Sequence, residues 1–426
     1  MYNPFYGRLA TALVFFIASA LFASEAVSQQ VRINLPYSIY GVGELRFNQY
    51  FQNMGMGGIS QGFRSNMSVN DVNPASYTAT DSTSFVFETT LFSHFYEQKT
   101  NTAEQQADYL SLGNFSFKFP VTRWWSFAGG LKPYSAVGYQ IRDNAQGQPG
   151  AFRYVYEGSG GINQLFLGNA FKPFEGFSVG VNASYLFGHM NHESSVVSDS
   201  IGMYLTNLIY ANEVSGWMFG FGMQYQYNVS DSRWFVLGAT FGNETDLGVN
   251  RTETLRKMLP GVLNYDTVSH NVLDPGNLTL PTYYGVGLFA QLNQHWSGGI
   301  DYQWQNWESY QIMGSGQNLN NSYQLSAGVG FLPPVETYST LFHRIHYTAG
   351  IRYGQAYFQP QGEPLNEFGI GFGLHIPVRW TLSGIKLGFE YSQRGSTSDH
   401  LMQENFYRIN FGINIYDRWF VRRRFF

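Results

Sequence analysis

The chain has 426 residues and no cysteine; charged residues make up 13%, against about 25% in an ordinary soluble domain, while aromatics reach 18%. The missing cysteine removes disulfides, thiol nucleophiles and Cys-based metal sites, and a net charge of −4 leaves no basic footprint for nucleic acid. Few charges and many rings also argue against disorder, and no long apolar run follows the first thirty residues, which excludes a bundle of transmembrane helices.

The start of the chain reads as a secretory signal over residues 1–28. Arg8 gives a weak positive end, residues 9–22 are apolar except for Thr11 and Ser19, and Ala26-Val27-Ser28 offers small residues at a cleavage site. The alternative, a membrane-anchoring helix, would need a longer run. The mature chain would begin at Gln29, outside the cytoplasm.

Residues 29–83 do not fit a strand template. Residues 47–53 read as a short helix or an irregular stretch, and Met54-Gly55-Met56-Gly57-Gly58 follows. The glycines permit tight turns and close backbone approach. No lysine follows in a strand–loop–helix setting, so this is not a phosphate loop. The segment has the length to plug a wide lumen; a free periplasmic domain of this size would have little core.

From residue 84 the pattern is period two. In Phe219-Gly220-Phe221-Gly222-Met223-Gln224-Tyr225-Gln226-Tyr227 every odd position is large and apolar and every even one is Gly or Gln. Phe368-Gly369-Ile370-Gly371-Phe372 and Tyr407-Arg408-Ile409-Asn410-Phe411 repeat the rule. One face seeks hydrocarbon. The other is polar and rich in glycine, as in a crowded barrel interior, whereas a soluble sandwich would carry many outward Lys and Glu.

The predicted strands are 84–98, 109–121, 125–142, 150–172, 176–198, 209–229, 231–251, 278–292, 296–312, 318–332, 343–357, 364–378, 382–395 and 403–416. Fourteen is an even number, as a single-chain bacterial barrel requires. Short connections near 121–124, 174–176, 293–295 and 377–380 read as periplasmic turns. Stretches near 99–108, 143–149, 199–208, 252–277, 312–317 and 396–402 read as extracellular loops. Trp124, Trp125, Trp296, Trp380 and Trp419 sit beside polar turns and suit an interfacial girdle. The fold class is therefore all-β: a transmembrane antiparallel barrel of fourteen strands (84–416) with the N-terminal hatch (29–83) inside it. A basic aromatic tail (417–426) follows, which either meets anionic headgroups or a partner, or is simply solvated.

Together these features resemble the FadL-type outer-membrane transporters of hydrophobic compounds, with the flavour of a Bacteroidota member. The residues that carry the likeness are Gly55-Met56-Gly57-Gly58 leading to Asn73-Pro74-Ala75; Gly160-Gly161-Ile162-Asn163; and Leu280-Pro281, Gly285, Gly287, Trp296, Asp301-Tyr302 and Trp307 in order. The resemblance implies a hatch built on Gly55, Gly57, Gly58, Asn73, Pro74 and Ala75, and a long apolar ligand such as a fatty acid. It also implies release through a distorted third strand. Here that strand contains Gly129, Gly130 and Pro133, where a missing ladder donor favours either a lateral gap or a simple bulge. No clear basic pair awaits a carboxylate; Lys118, Lys132, Arg142 and Arg153 are candidates by strand position alone.

Catalytic chemistry is not visible. His189 and His192, like His343 and His346, point to opposite faces of a strand, so no metal is expected. No nucleophile–base set is present, and no enzyme activity or cofactor is expected. Lys386, Glu390 and Arg408 lie on adjacent strands and should form ion pairs across the interior.

The reading is passive outer-membrane uptake of fatty acids or other small hydrophobic compounds. Its rival is a non-transporting structural or accessory subunit of a larger outer-membrane complex, recognised by a blocked lumen without an apolar pocket. A nonspecific porin comes third. The expected surroundings are membrane lipid, lipopolysaccharide at the outer leaflet and, in the rival reading, outer-membrane protein partners.

Overall fold

A computed structural model describes residues 34–46, 54–147, 150–198, 204–258, 265–334, 340–378, 383–397 and 401–419. The predicted leader 1–28, the stretch 47–53, Trp380 and the end 420–426 lie outside these residues.

The hatch contributes β1 (Glu44–Leu45). The wall runs through β2 (Ser84–Lys99), β3 (Glu104–Pro120), β4 (Trp125–Gly147), β5 (Gly150–Phe174), β6 (Phe177–Ser198), β7 (Leu205–Ser230) and β8 (Arg233–Gly242). Above β8 stand β9 (Thr245–Met258), β10 (Asp266–Val272) and β11 (Gly276–Leu280). The wall resumes with β12 (Tyr283–Gln291) and β13 (Trp296–Gln305), then, after the short β14 (Gln311–Ile312) and β15 (Ser315–Gly316), with β16 (Ser322–Phe331). It ends with β17 (His346–Gln355), β18 (Asn366–Pro377), β19 (Gly384–Arg394) and β20 (Gln403–Arg418). Fourteen wall strands close into one antiparallel barrel. Closure is made by β2 on β20, from Ser84↔Arg418 to Lys99↔Gln403, so no edge is left at that seam.

The alternation in the sequence becomes the wall's two faces. On β7, Phe219, Phe221, Met223 and Tyr225 are exposed on the outside, while Gln224 is fully buried within. Tyr407, Ile409 and Phe411 do the same on β20, with Asn410 inside. This outer apolar band and the closed sheet fit an outer-membrane barrel; no helix among the described residues is long and apolar enough to cross a membrane. Crossing needs roughly 9–11 residues, so β5 (25 residues), β6 (22) and β7 (26) run well past the membrane at one end, here called the long-loop end.

Several predicted loops are sheet instead. Most of 252–277 is the end of β9 and all of β10, paired from Asp266↔Lys257 to Val272↔Thr252. Residues 143–147 extend β4. These segments alternate polar residues on both faces because water lies on both sides, and so lack the apolar stripe that marks a membrane strand. Conversely, the predicted strand 278–292 breaks at Pro281, which has no N–H to donate. The predicted strand 296–312 breaks where Trp307–Ser309 turns inward as a short 3-10 segment.

One pairing is incomplete. β3 and β4 are paired only from Phe115↔Leu131 to Pro120↔Ser126. Above that point β4 continues on β5, with a register shift between Pro133 and Ser135. Its vacated edge is met from inside by β1, through Glu44↔Ala136 and Leu45↔Ser135.

Candidate functional site

The interior has four parts, stacked from the short-turn end to the long-loop end: a mouth, the hatch seat, a charged chamber and an aromatic plug.

The hatch seat is built by glycine. Side chains on the wall's inner face would collide with the hatch backbone, and the wall removes them at the points of contact. A Cβ on Gly350 would lie 2.1 Å from the Met56 carbonyl carbon, and one on Gly180 would lie 2.5 Å from that of Pro74. The hatch residues Gly55, Gly57, Gly58, Asn73, Pro74 and Ala75 are all buried here. Gly57 has φ +70, and a Cβ on it would lie 2.4 Å from the Ile351 oxygen. Asn73 caps the 3-10 turn Pro74–Ala79 by accepting from the Ala75 N–H at 3.2 Å, and donates through Nδ2 to the Gln61 carbonyl at 2.8 Å.

Charged wall side chains hold the hatch. Asp301, 1% exposed, accepts from the Gln61 N–H at 2.7 Å and from the Ser60 N–H. Lys386 pairs with Glu88 at 2.9 Å and donates to Ser68 Oγ at 2.8 Å, while Glu88 accepts from the Val69 N–H at 3.2 Å. The four candidate ligand cations do not converge. Lys118 donates to the Ser65 carbonyl at 2.6 Å and Lys132 pairs with Asp71 at 2.5 Å, so both serve the hatch. Arg142 and Arg153 are exposed towards the long-loop end.

Above the hatch lies a chamber of about 160 Å³ lined by charge. Arg394 meets Glu404 at 2.7 Å and Glu44 of β1 at 2.9 Å. Arg352 meets Glu390 at 3.0 Å and also Glu367, and Arg408 closes on Glu390. Arg46 sits 4.9 Å over the Tyr109 ring, and His94 stacks on the same ring at 4.6 Å. A second interior cavity, about 70 Å³, lies between Asp71, Lys132, Tyr134 and Tyr283. Both are smaller than the roughly 300–1,000 Å³ of a small-molecule pocket, and the chamber's lining mixes these ion pairs with Leu35, Met54 and Phe406.

The apolar part of the interior is filled by the protein itself. Trp307 and Tyr310 are fully buried and Tyr357 and Phe358 nearly so, packed with Val42, Leu319 and Leu365. Trp307 stacks on Tyr357 at 4.1 Å. Each tyrosine hydroxyl caps a hatch carbonyl: Tyr310 donates to Gly41 at 3.0 Å, and Tyr357 to Tyr40 at 3.0 Å. The sequence reading did not single out Tyr310, Tyr357 or Phe358 for any role. Only Phe358 offered a signal, as a large ring just past the predicted strand 343–357, where solvent exposure would favour a polar residue; Tyr310 and Tyr357 fall inside predicted strands and look like ordinary wall residues.

At the side, the β3–β4 break leaves a cavity of about 360 Å³ bordered by Leu112, Leu131, Pro133 and Asn163, with Arg46 and Tyr109 at its inner end. Gly129 and Gly130 lie just below it, on the paired part of β4. The charged chamber and this side cavity share Arg46 and Tyr109 as their common wall.

Residues 11–426 match the model of the BamG family. No curated protein matches the chain. Among solved structures, the Pseudomonas putida toluene transporter TodX superposes with a TM-score of 0.55 at 16% identity, over 92% of this chain and 100% of that one. The Ralstonia pickettii toluene transporter TbuX gives 0.56 at 15% identity over 88% and 99%. A Pseudomonas aeruginosa FadL homologue gives 0.52 at 12% over 87% and 98%. At these identities the likeness is one of fold: the chain shares the FadL-type barrel.

Proposed function

Because the chain belongs to the BamG family and fills its own lumen, we propose that it is a sealed outer-membrane barrel acting as a structural or accessory subunit of a larger outer-membrane protein complex. The observation that carries this reading is the plug. The volume that would take an apolar solute holds Trp307, Tyr310, Tyr357 and Phe358, and the chamber below is lined by ion pairs. The short-turn end faces the periplasm, the long strands rise among lipopolysaccharide, and export begins with the leader over 1–28. The role is not enzymatic. Purification from native membranes in mild detergent, with mass spectrometry of proteins and lipids, tests it. Stoichiometric protein partners without a bound apolar molecule are expected, and reconstituted barrels should show no channel openings. A solitary barrel carrying an apolar ligand would overturn the proposal.

A second reading is favoured by the β3–β4 break. A hydrophobic-compound channel, for fatty acids or smaller solutes, would use the side cavity beside Pro133 as its lateral door, in keeping with the toluene transporters that share the fold. In that reading the plug must move aside, and uptake of a labelled apolar compound into vesicles would reveal it.

A further inference from the structure

The mouth at the periplasmic end belongs neither to the plug nor to the side cavity. It encloses about 320 Å³. Its floor is aromatic: Phe63 of the hatch meets Phe289 edge-on at 5.4 Å, and Trp234 lies 5.7 Å from the same ring. Its rim carries Arg64, His295, Arg344, His346 and His375, and no carboxylate lines it among the described residues.

Among the described residues, neither arginine here has a carboxylate partner. Arg64 donates to Thr78 Oγ1 at 2.7 Å, Gln224 Oε1 at 3.0 Å and Ser178 Oγ at 3.2 Å, all neutral acceptors. Burial accordingly pushes its guanidinium down to about 10. His375 is 6% exposed, and its Nε2 has no hydrogen-bond partner among the described residues. Beside Arg344, Leu341 and Phe342 stand 55% and 71% exposed on the turn Leu341–Arg344. That turn belongs to the connection between β16 and β17, which is far longer than the two- to four-residue connections at 121–124, 175–176, 231–232 and 292–295. Neighbouring exposed apolar side chains on a turn suit a contact surface.

We infer that this mouth docks an extended segment of a periplasmic protein in which acidic residues flank aromatic ones. Acid side chains complement the rim, and rings complement the floor and the Leu341–Phe342 lip. A lipid fits less well, because the cavity opens along the barrel axis between lumen-facing and turn residues rather than through the wall. The chain's own end fits less well too, since Arg422, Arg423 and Arg424 carry the rim's sign. The inference rests on the reading of the chain as an accessory subunit and locates one of its contacts.

The test uses the full chain in phosphatidylcholine nanodiscs and a fluorescein-labelled hexapeptide alternating Glu or Asp with Phe or Tyr, read by anisotropy. The acidic peptide should bind about tenfold more tightly than its Lys-for-acid counterpart. Arg344→Gln with His295→Gln, both in exposed turns, should weaken it by about fivefold while the barrel keeps its heat-modifiable mobility. A Phe342→Ser variant should weaken both peptides alike. Equal binding of the acidic and basic peptides, or binding unchanged in the Arg344 and His295 variant, overturns the inference. So does displacement of the peptide by phosphatidylglycerol, which assigns the site to lipid, or binding only after removal of residues 420–426, which assigns it to the chain's own end. If no peptide binds while partners still co-purify, the docking site alone fails. If the peptide binds and no partner co-purifies, the accessory role alone fails.

Discussion

Replacing Trp307 with alanine probes whether the interior is filled by design of the chain. The side chain is fully buried, stacks on Tyr357 at 4.1 Å and donates from Nε1 to Gln305 Oε1 at 2.6 Å. Truncation removes an aromatic burying up to about 250 Å², with a further 0.5–1.5 kcal/mol or so from the stacked pair. Large-to-small changes of this kind cost about 3–5 kcal/mol when the site cannot collapse, and the barrel wall resists collapse. An unfolding free energy lowered by about 4 kcal/mol is therefore expected in urea titrations of the detergent-solubilised protein. The lost ring leaves a dry apolar hole, and such holes accept small aromatics. Indole at a hundred times its dissociation constant should restore about 2.7 kcal/mol by linkage, and should leave the wild type unchanged. A loss below about 1 kcal/mol, outside the range for a packed ring, would refute the packed plug. Equal stabilisation of the wild type by indole would show that the native interior already has room for a solute.

Three further substitutions, with one control and one compensating change, address the hatch. Asp301→Ala removes the carboxylate that accepts from the Ser60 and Gln61 N–H groups; with hydrogen bonds to a charge worth about 1.5–3 kcal/mol each, a loss of about 3 kcal/mol and faster proteolysis near Ser60 are expected. Gly350→Val should destabilise by at least about 1–3 kcal/mol through overpacking against Met56, whereas Gly248→Val, whose nearest neighbour would be the Ser215 oxygen at 3.5 Å, should leave heat-modifiability unchanged. Lys386→Met should cost about 3–5 kcal/mol by leaving Glu88 buried and unpaired, and adding Glu88→Leu should recover most of it in a double-mutant cycle.

The wall was legible because its signal is redundant: every strand carries the same alternation, so Phe219 to Tyr227 and Tyr407 to Phe411 independently report one outside and one inside. The β9–β10 sheet was not, since Thr252 to Met258 lie in water and have no apolar stripe to display. Pro133 advertised an interrupted ladder on its own, because a missing N–H is a local property. The partners of Lys118 and Lys132 were hidden for the opposite reason. Both residues read as inward-facing cations open to a ligand, but Ser65 and Asp71, which occupy them, come near only after the hatch has folded into the barrel. The same holds for Tyr310 and Tyr357. Nothing in their neighbourhoods says that their hydroxyls will find Gly41 and Tyr40 across the lumen.

These long-range ties decide what the hatch can do. Arg394 holds Glu44, Asp301 holds Ser60 and Gln61, Lys118 holds Ser65, Lys386 and Glu88 hold Ser68 and Val69, and Lys132 holds Asp71. At about 1.5–3 kcal/mol for each hydrogen bond to a charged group, withdrawing the hatch would cost on the order of 10 kcal/mol. That approaches the 5–15 kcal/mol or so that separates a folded domain from its unfolded chain. The hatch is therefore part of the barrel's core rather than a stopper resting in it, and axial opening by its departure amounts to partial unfolding. Conformational freedom is then expected where charged ties are fewest, beside the side cavity at the β3–β4 break and at the mouth of the short-turn end. A partner of the kind proposed above would engage the mouth without disturbing the core.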